Sequence, residues 1–464
     1  MLKNWLYRIR NRAKNIFDLF TNEQVRINVL QAIPFWIASV LTGLLAVGYT
    51  KLFGLSEDLL QYLLSVNKLL IFVIAPGFFV AGWFLVKLAP AARGSGIPQV
   101  MASIELSGAR GEAQTGVLLG LRIIIIKILS SMCMVLGGGA IGREGPTIQI
   151  AGSVFYLVNR WIPSSWPRLS SRSFVLTGAA AGLAAAFNTP LGGIVFAIEE
   201  LARIHLSFFR TALFTAVIIA GLTAQGILGR YLYLGYPDVS NLHPLAFLMV
   251  IAVAIVAGLS GGFMGKMIIR MMKWKQNLNG RQHLFFALLA GLLVATTAYF
   301  VNEQVLGSGK DIINDTLFTH EKEIRWHSMV ARILGPVLSF NVGAAGGVFA
   351  PSLGAGASVG AFIASIFQIS GPTANILILG AMVGFLTGVT RSPFTAAILV
   401  LEMTDRHSVI FHLMLAAMVA NIAALVIDKR SLYEHLKMIY LKEAMDPRDE
   451  DDDRAKGAQP LKDT

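Results

Sequence analysis

The sequence predicts an all-α polytopic membrane protein built from two duplicated halves, and three observations carry that prediction. Hydrophobic residues make up 55% of the 464-residue chain and charged residues only 14%, with a mean hydropathy of +0.63, a balance foreign to a soluble domain of this size. Apolar stretches long enough to span, or nearly span, a bilayer recur along the chain. The same glycine and proline punctuation also appears twice. Gly142-Arg143-Glu144-Gly145-Pro146 leads into Ala151-Gly152-Ser153-Val154, and Gly347-Val348-Phe349-Ala350-Pro351 leads into Gly356-Ala357-Ser358-Val359, with both prolines and both serines 205 residues apart. Gly178, Gly182, Pro190 and Glu199 are echoed by Gly380, Gly384, Pro393 and Glu402 at offsets of 202 and 203. Paired apolar segments interrupted by Gly and Pro at corresponding places are the trace of broken helices that meet near the bilayer midplane, where substrates bind.

Residues 1–30 form a basic arm, with Lys3, Arg8, Arg10, Arg12, Lys14 and Arg26 against Asp18 and Glu23. The positive-inside bias places this arm in the cytoplasm. Its Trp5, Leu6, Ile9, Ile16, Phe17 and Phe20 suit an amphipathic helix lying on the membrane surface. No uninterrupted apolar core precedes a cleavage site, so the arm is not a signal peptide. Residues 31–230 are assigned to the first transmembrane repeat and 231–440 to the second. Spans are expected from Gln31 to Phe53, Lys68 to Leu88, Gly116 to Ile141, Phe209 to Leu228, Leu242 to Met271, Leu284 to Val301 and Val409 to Ile427. Pro146 to Leu157 and Gly346 to Phe367 are short or cut by glycine, so hydropathy alone undercounts the helices.

Basic clusters at Arg160, Arg168 and Arg172, at Lys266, Arg270, Lys273 and Lys275, and at Lys429 and Arg430 are expected to face the same compartment as the arm. Both termini are then cytoplasmic, in what is read as a bacterial inner membrane. The net charge of +12 reads as topology and contact with anionic headgroups of the lipid bilayer. Nucleic-acid binding is not expected, because no separate basic domain exists. Residues 441–464, with an acidic block from Asp449 to Asp453, are too polar to fold alone and read as a disordered cytoplasmic tail. Cys133 is the only cysteine, which excludes an intramolecular disulfide and any multi-cysteine metal site. No metal ligands and no cofactor are expected.

Three glycine-rich motifs carry the chemistry. Gly94-Ser95-Gly96-Ile97-Pro98 sets a hydroxyl between two glycines ahead of a proline suited to a first helical turn. Gly346-Gly347-Val348-Phe349-Ala350-Pro351 has the same grammar, and its amides before Pro351 are free to point at a ligand. Helix N-termini carry partial positive charge and unpaired N–H groups, so several converging in a water-poor cavity form an anion site without a full cation. Such a site releases its ion, whereas a buried Lys or Arg would hold it. Close helix packing at glycines is the bland alternative for either motif alone.

The third motif, Gly142-Arg143-Glu144-Gly145-Pro146, puts a carboxylate in an apolar region, where an acid is costly and functional by default. Glu144 as a mere helix cap is the weaker reading, because Ser or Asn would cap without burying a charge. An ionised Glu144 occupies the place of an anion and a protonated one leaves, so anion passage and protonation compete for one site. Arg143 is read as a stabiliser of the loop and its carbonyls.

On these residues the chain resembles the CLC family of chloride channels and chloride/proton antiporters, of the prokaryotic type without CBS domains. The resemblance runs through nearly the whole sequence: Gly94 to Pro98, Gly142 to Pro146 and Gly346 to Pro351 match the three signature motifs in order and spacing, and Gly178 to Glu200 matches a characteristic helix pair. It implies a CLC-type inverted-topology repeat of tilted, partly broken helices, in a homodimer with one pathway per subunit. It implies that Ser95 and Tyr433 supply hydroxyls to chloride, that the amides of Val348 and Phe349 contact the ion, and that Glu144 is the external gate. Gly94, Gly96, Ile97, Pro98, Gly142, Arg143, Gly145, Pro146, Gly347, Ala350 and Pro351 then support the motifs.

In the family's antiporters a glutamate at the second position of Glu199-Glu200 passes protons towards the gate, and channels usually lack it. With Glu144 and Glu200 both present, the resemblance implies a chloride/proton antiporter rather than an enzyme, with a passive chloride channel as the alternative. Glu200 as a surface carboxylate near Arg203 is the bland reading of that position. Some antiporters carry a carboxylate three residues beyond the first motif's proline, where this chain has Met101. Ser95 resembles the chloride-selective members; a proline there would suggest nitrate, and fluoride-selective members usually depart from this motif. An organic-substrate transporter would need charged side chains beyond Glu144, and His205 stands alone, without the partners of an enzyme site.

Overall fold

The computed structural model describes residues 23–107, 112–163, 165–167, 169–202, 210–229, 232–319, 322 and 324–445. Among them the regular structure is helical, with α1 Glu23–Val66, α2 Ile71–Val86, α3 Ile97–Leu106, α4 Glu112–Leu118, α5 Leu121–Leu136, α6 Glu144–Trp161, α7 Ser171–Phe187, α8 Pro190–Phe196 and α9 Arg210–Leu228 in the first half. The second half holds α10 Ala246–Lys275, α11 Gly280–Phe300, α12 Lys310–Phe318, α13 Trp326–Asn341, α14 Phe349–Ile366, α15 Gly371–Thr390, α16 Pro393–Thr404, α17 Ile410–Leu425 and α18 Leu432–Ala444. Nine of the described helices are long and apolar enough to cross a membrane. Two of these, α14 and α15, are cut by glycines in the sequence. They stay helical because the glycines serve packing: a Cβ at Gly356 would lie 2.6 Å from Met382 Cα, and one at Gly360 2.7 Å from Ile378 Cα.

Proline and left-handed residues start and stop helices at equivalent places in the two halves. Helix α7 ends at Asn188 with φ 58° and α8 starts at Pro190, while α15 ends at Arg391 with φ 63° and α16 starts at Pro393. A left-handed C-cap followed by Pro at the first helical position stops one helix and launches the next in a new direction. One continuous core cluster draws on both halves, from Ile97, Ile148 and Phe187 to Phe349, Ala397 and Tyr433. Many large apolar side chains stay outward, among them Val73, Phe411 and Ile422, which suits a surface facing lipid.

Two boundaries and one side chain differ from the sequence reading. Residues 23–30 belong to the 44-residue α1, because nothing between Glu23 and Pro34 breaks a helix; the rest of the proposed arm, 1–22, lies outside the described residues. Helix α18 runs to Ala444, past the tail boundary at 441, because Leu441 is buried and Glu443 pairs with Arg93; the acidic block lies outside the described residues. Lys275, assigned to a cytoplasmic cluster, is buried, with its ammonium donating to the carbonyl of Asn341. Arg168 and Arg203 lie outside the described residues, as does His205.

Candidate functional site: an anion path between the halves

The three glycine motifs, far apart in sequence, are joined by main-chain hydrogen bonds. Gly94 N–H donates to Ala344 at 2.8 Å, and Gly346 N–H donates back to Gly94 at 3.1 Å. Gly142 and Gly347 each donate to the other's carbonyl at 2.8 Å. These two residues are the repeat equivalents of one another, so the reciprocal pair lies on the internal two-fold relating the halves, as an isologous contact does. Glycine is required by these approaches. Gly94 and Gly96 have φ of +62° and +104°, and a Cβ at Gly347 would lie 3.1 Å from both Gly142 O and Gly145 N.

The first motif is held rigidly. Gln99 accepts from Gly96 N–H at 3.1 Å and donates to Arg93 O at 2.6 Å, while Gln149 spans Ala91 O and Leu118 O, each at 3.0 Å. Lys127, fully buried, donates to Ala92 O, Arg93 O and Gly94 O at 2.9, 3.3 and 2.8 Å. Its terminal nitrogen is spent on three main-chain carbonyls, which ties the loop to α5. The sequence reading passed over Lys127, although a lone lysine in the run Ile123 to Ile128 was a legible signal.

This framework brings together the N-termini of α3, α6 and α14. Ser95 packs directly on Gly145, whose Cβ, if present, would meet the Ser95 hydroxyl. Glu144, in the first turn of α6, is fully buried. Its carboxylate lies within reach of the Ala350 amide and of its own, and Oε1 accepts from the Tyr233 hydroxyl at 3.4 Å. Val348 and Phe349 are buried at the start of α14, where the first amides have no partner in the helix ladder.

Tyr433 arrives from α18, which docks on the first motif through Lys437 to Glu105 at 2.8 Å, Arg93 to Glu443 at 2.6 Å and Tyr440 to Arg93 O at 3.4 Å. The Tyr433 ring is fully buried, with Ser95 beside its hydroxyl.

Ser95 Oγ, Glu144 Oε2 and Tyr433 Oη are all buried without a protein hydrogen-bond partner. Buried polar atoms are nearly always satisfied, and two hydroxyls and a carboxylate oxygen left over at one junction of helix N-termini form the polar lining of a candidate site. The matches continue beyond the motifs. A family model described as voltage gated chloride channel matches residues 77–425, three quarters of the chain. The chain belongs to that family.

The voltage gated chloride channel match stops short of Tyr433. A protein named H(+)/Cl(-) exchange transporter ClcA from Citrobacter koseri is 27% identical over 419 residues, covering 86% of either chain. A solved structure of a slow cyanobacterial Cl-/H+ antiporter superposes with a TM-score of 0.77 at 24% identity, covering 88% of this chain and 97% of the other. One of a CLC-type fluoride/proton antiporter gives a TM-score of 0.72 at 20% identity, covering 89% and 98%. The repeat architecture is thus that of the family.

The two adjacent glutamates do different work. Glu199 and Glu200 sit in a π-helical turn, Ala197–Ala202, that follows α8, a local defect that re-aims side chains. Glu199 accepts from Phe394 N–H and Thr395 N–H at 3.1 and 2.6 Å, and from the Thr395 hydroxyl at 2.7 Å, capping α16 of the other half. Its repeat equivalent Glu402 accepts from Leu191 N–H and Gly192 N–H at 3.0 and 2.6 Å, capping α8 in return. Carboxylates at helix N-termini stabilise them through the dipole and unpaired amides. Glu200 instead accepts from Ser392 at 2.5 Å and lies within electrostatic range of Tyr433. Met101 is buried in the same core as Tyr433. Arg143 occupies the N-cap position of α6, with its guanidinium 5.9 Å from the Tyr233 ring centroid.

Proposed function

We propose that this protein is a chloride/proton antiporter that moves the two ions in opposite directions across a membrane, acting as a secondary active transporter. The observation that carries this reading is the set of three buried oxygens without a protein hydrogen-bond partner at the meeting of helix N-termini. Chloride is held by the hydroxyls of Ser95 and Tyr433 and the first amides of α14, a partial-charge site from which the ion can leave. Glu144 is the gate: ionised, its carboxylate takes the outer anion position beside the Ala350 amide; protonated, it swings away and carries its proton. Glu200 relays protons between the cytoplasm and Glu144, held by Ser392 near Tyr433.

The names of the matched exchangers and the presence of both glutamates support coupling over passive conduction. The same reading divides the chain into repeats over 31–230 and 231–440, places both termini in the cytoplasm of a bacterial inner membrane, and pairs two subunits, each with its own pathway.

The test uses purified protein in chloride-loaded liposomes, with external pH recorded under a chloride gradient while valinomycin clamps the voltage. Uphill proton movement driven by chloride, absent in Glu144→Ala although chloride flux persists, is the expected result. Chloride flux without proton movement would make the protein a channel, and no chloride flux would remove the anion-path reading.

A further inference from the structure

The contact between Tyr233 and Glu144 belongs to none of the three motifs. Tyr233 lies in the irregular connection between α9 and α10, where the chain passes from the first half to the second. The connection is tethered beside the tyrosine: Leu234, fully buried, donates its N–H to Met403 O at 3.1 Å, and Gly235 turns the chain with φ +67° against the Phe318 ring. The Tyr233 ring is buried and meets Phe187 edge-on, centroids 5.0 Å apart at 86°, and Phe187 in turn lies 5.7 Å from Phe349. The Arg143 guanidinium and the Lys310 ammonium stand 5.9 and 6.0 Å from the ring centroid. The edge-on contact with Phe187 and the backbone tether hold the ring in place and aim its hydroxyl. Its target is the Glu144 carboxylate, at 3.4 Å.

We propose that Tyr233 is a positioning residue that latches the Glu144 carboxylate in the anion path and so sets how readily chloride displaces it. The proposal rests on the reading of Glu144 as the gate. The tyrosine donates to the Glu144 carboxylate oxygen, a stronger acceptor than a chloride in the same place, so it favours the closed arrangement. A ligand can shift a two-state equilibrium only through its differential interaction with the two states, and the latch weights that equilibrium against chloride.

Tyr233→Phe keeps the ring and its contacts with Phe187, and so should fold normally, as a monodisperse elution profile would verify. Isothermal calorimetry at neutral pH should then find chloride bound about threefold to tenfold more tightly than in the parent, the range set by losing one hydrogen bond. Chloride/proton exchange in liposomes should speed up by a similar factor. In a Glu144→Ala background the same substitution should leave chloride affinity unchanged, because the partner of the latch is gone. An unchanged affinity in Tyr233→Phe, or an equal change in both backgrounds, overturns the latch; the latter would mean that the tyrosine touches the ion itself. Failure of the gate reading is separate, since it would appear as persistent proton pumping by Glu144→Ala with Tyr233 intact.

Discussion

Superposing the two halves by their sequence offsets separates scaffold from chemistry. Where equivalent positions carry the same residue, the job is structural. Gly142 and Gly347 pair their backbones across the two-fold, Glu199 and Glu402 exchange helix caps, and Pro190 and Pro393 start the capped helices. Where equivalent positions differ, the chemistry resides. Glu144 corresponds to Phe349, Gly145 to Ala350, and Glu200 to Met403. In the function proposed above, a symmetric frame carries one gating carboxylate and one proton-relay carboxylate per pathway, so its two ends are inequivalent.

The comparison would break most visibly at Glu200. Glu200→Gln should bring proton flux down to the leak level while chloride flux persists, whereas Met403→Leu, at the equivalent place, should leave both fluxes intact. Unaltered coupling in Glu200→Gln, read in the liposome assay, would return that residue to a surface role. Next in size is Gly145→Ala. Its Cβ would press on Ser95, 2.7 Å from the carbonyl oxygen, and overpacking of this kind costs about 1–3 kcal/mol. Carried over to the ion site, that range should lower chloride affinity by calorimetry about fivefold to about 150-fold, since each 1.4 kcal/mol is a factor of ten. Ala350→Gly, the converse change in the other half, should be tolerated. The smallest effects fall on the caps. Glu199→Gln and Glu402→Gln should each lower stability by about 1–3 kcal/mol, the cost of weakening charge-assisted bonds to otherwise orphaned amides. Thermal unfolding in detergent should show matched losses, with coupling retained; loss of coupling in Glu199→Gln alone would mean that the proton path uses both glutamates.

Sequence reading went far on this chain because its signals are local and chemically costly. A carboxylate in an apolar run, a serine between glycines, and prolines suited to a first helical turn each mark a helix end without reference to distant partners. Lys127 was legible in the same way and was overlooked. Tyr233 offered no such mark, because a tyrosine in a polar connection reads as ordinary. The caps were invisible for a different reason. Glu199 and Glu402 appear as one more matched pair, and their hydrogen bonds join residues about two hundred positions apart.

By itself, then, the amino-acid order determined the membrane setting, the duplication, the positions of the helix N-termini and the identity of Glu144, Ser95, Val348 and Phe349 as the residues at those ends. Only the tertiary structure decided that the three motifs share backbone hydrogen bonds, that α18 brings Tyr433 over Ser95, that Glu199 caps while Glu200 remains near the path, and that Tyr233 reaches Glu144. The physical reason is range. Backbone sterics and the cost of burying charge act within a few residues and leave their record in the local sequence. Hydrogen bonds across the two-fold depend on where whole helices come to rest, and that is settled by packing of the entire core.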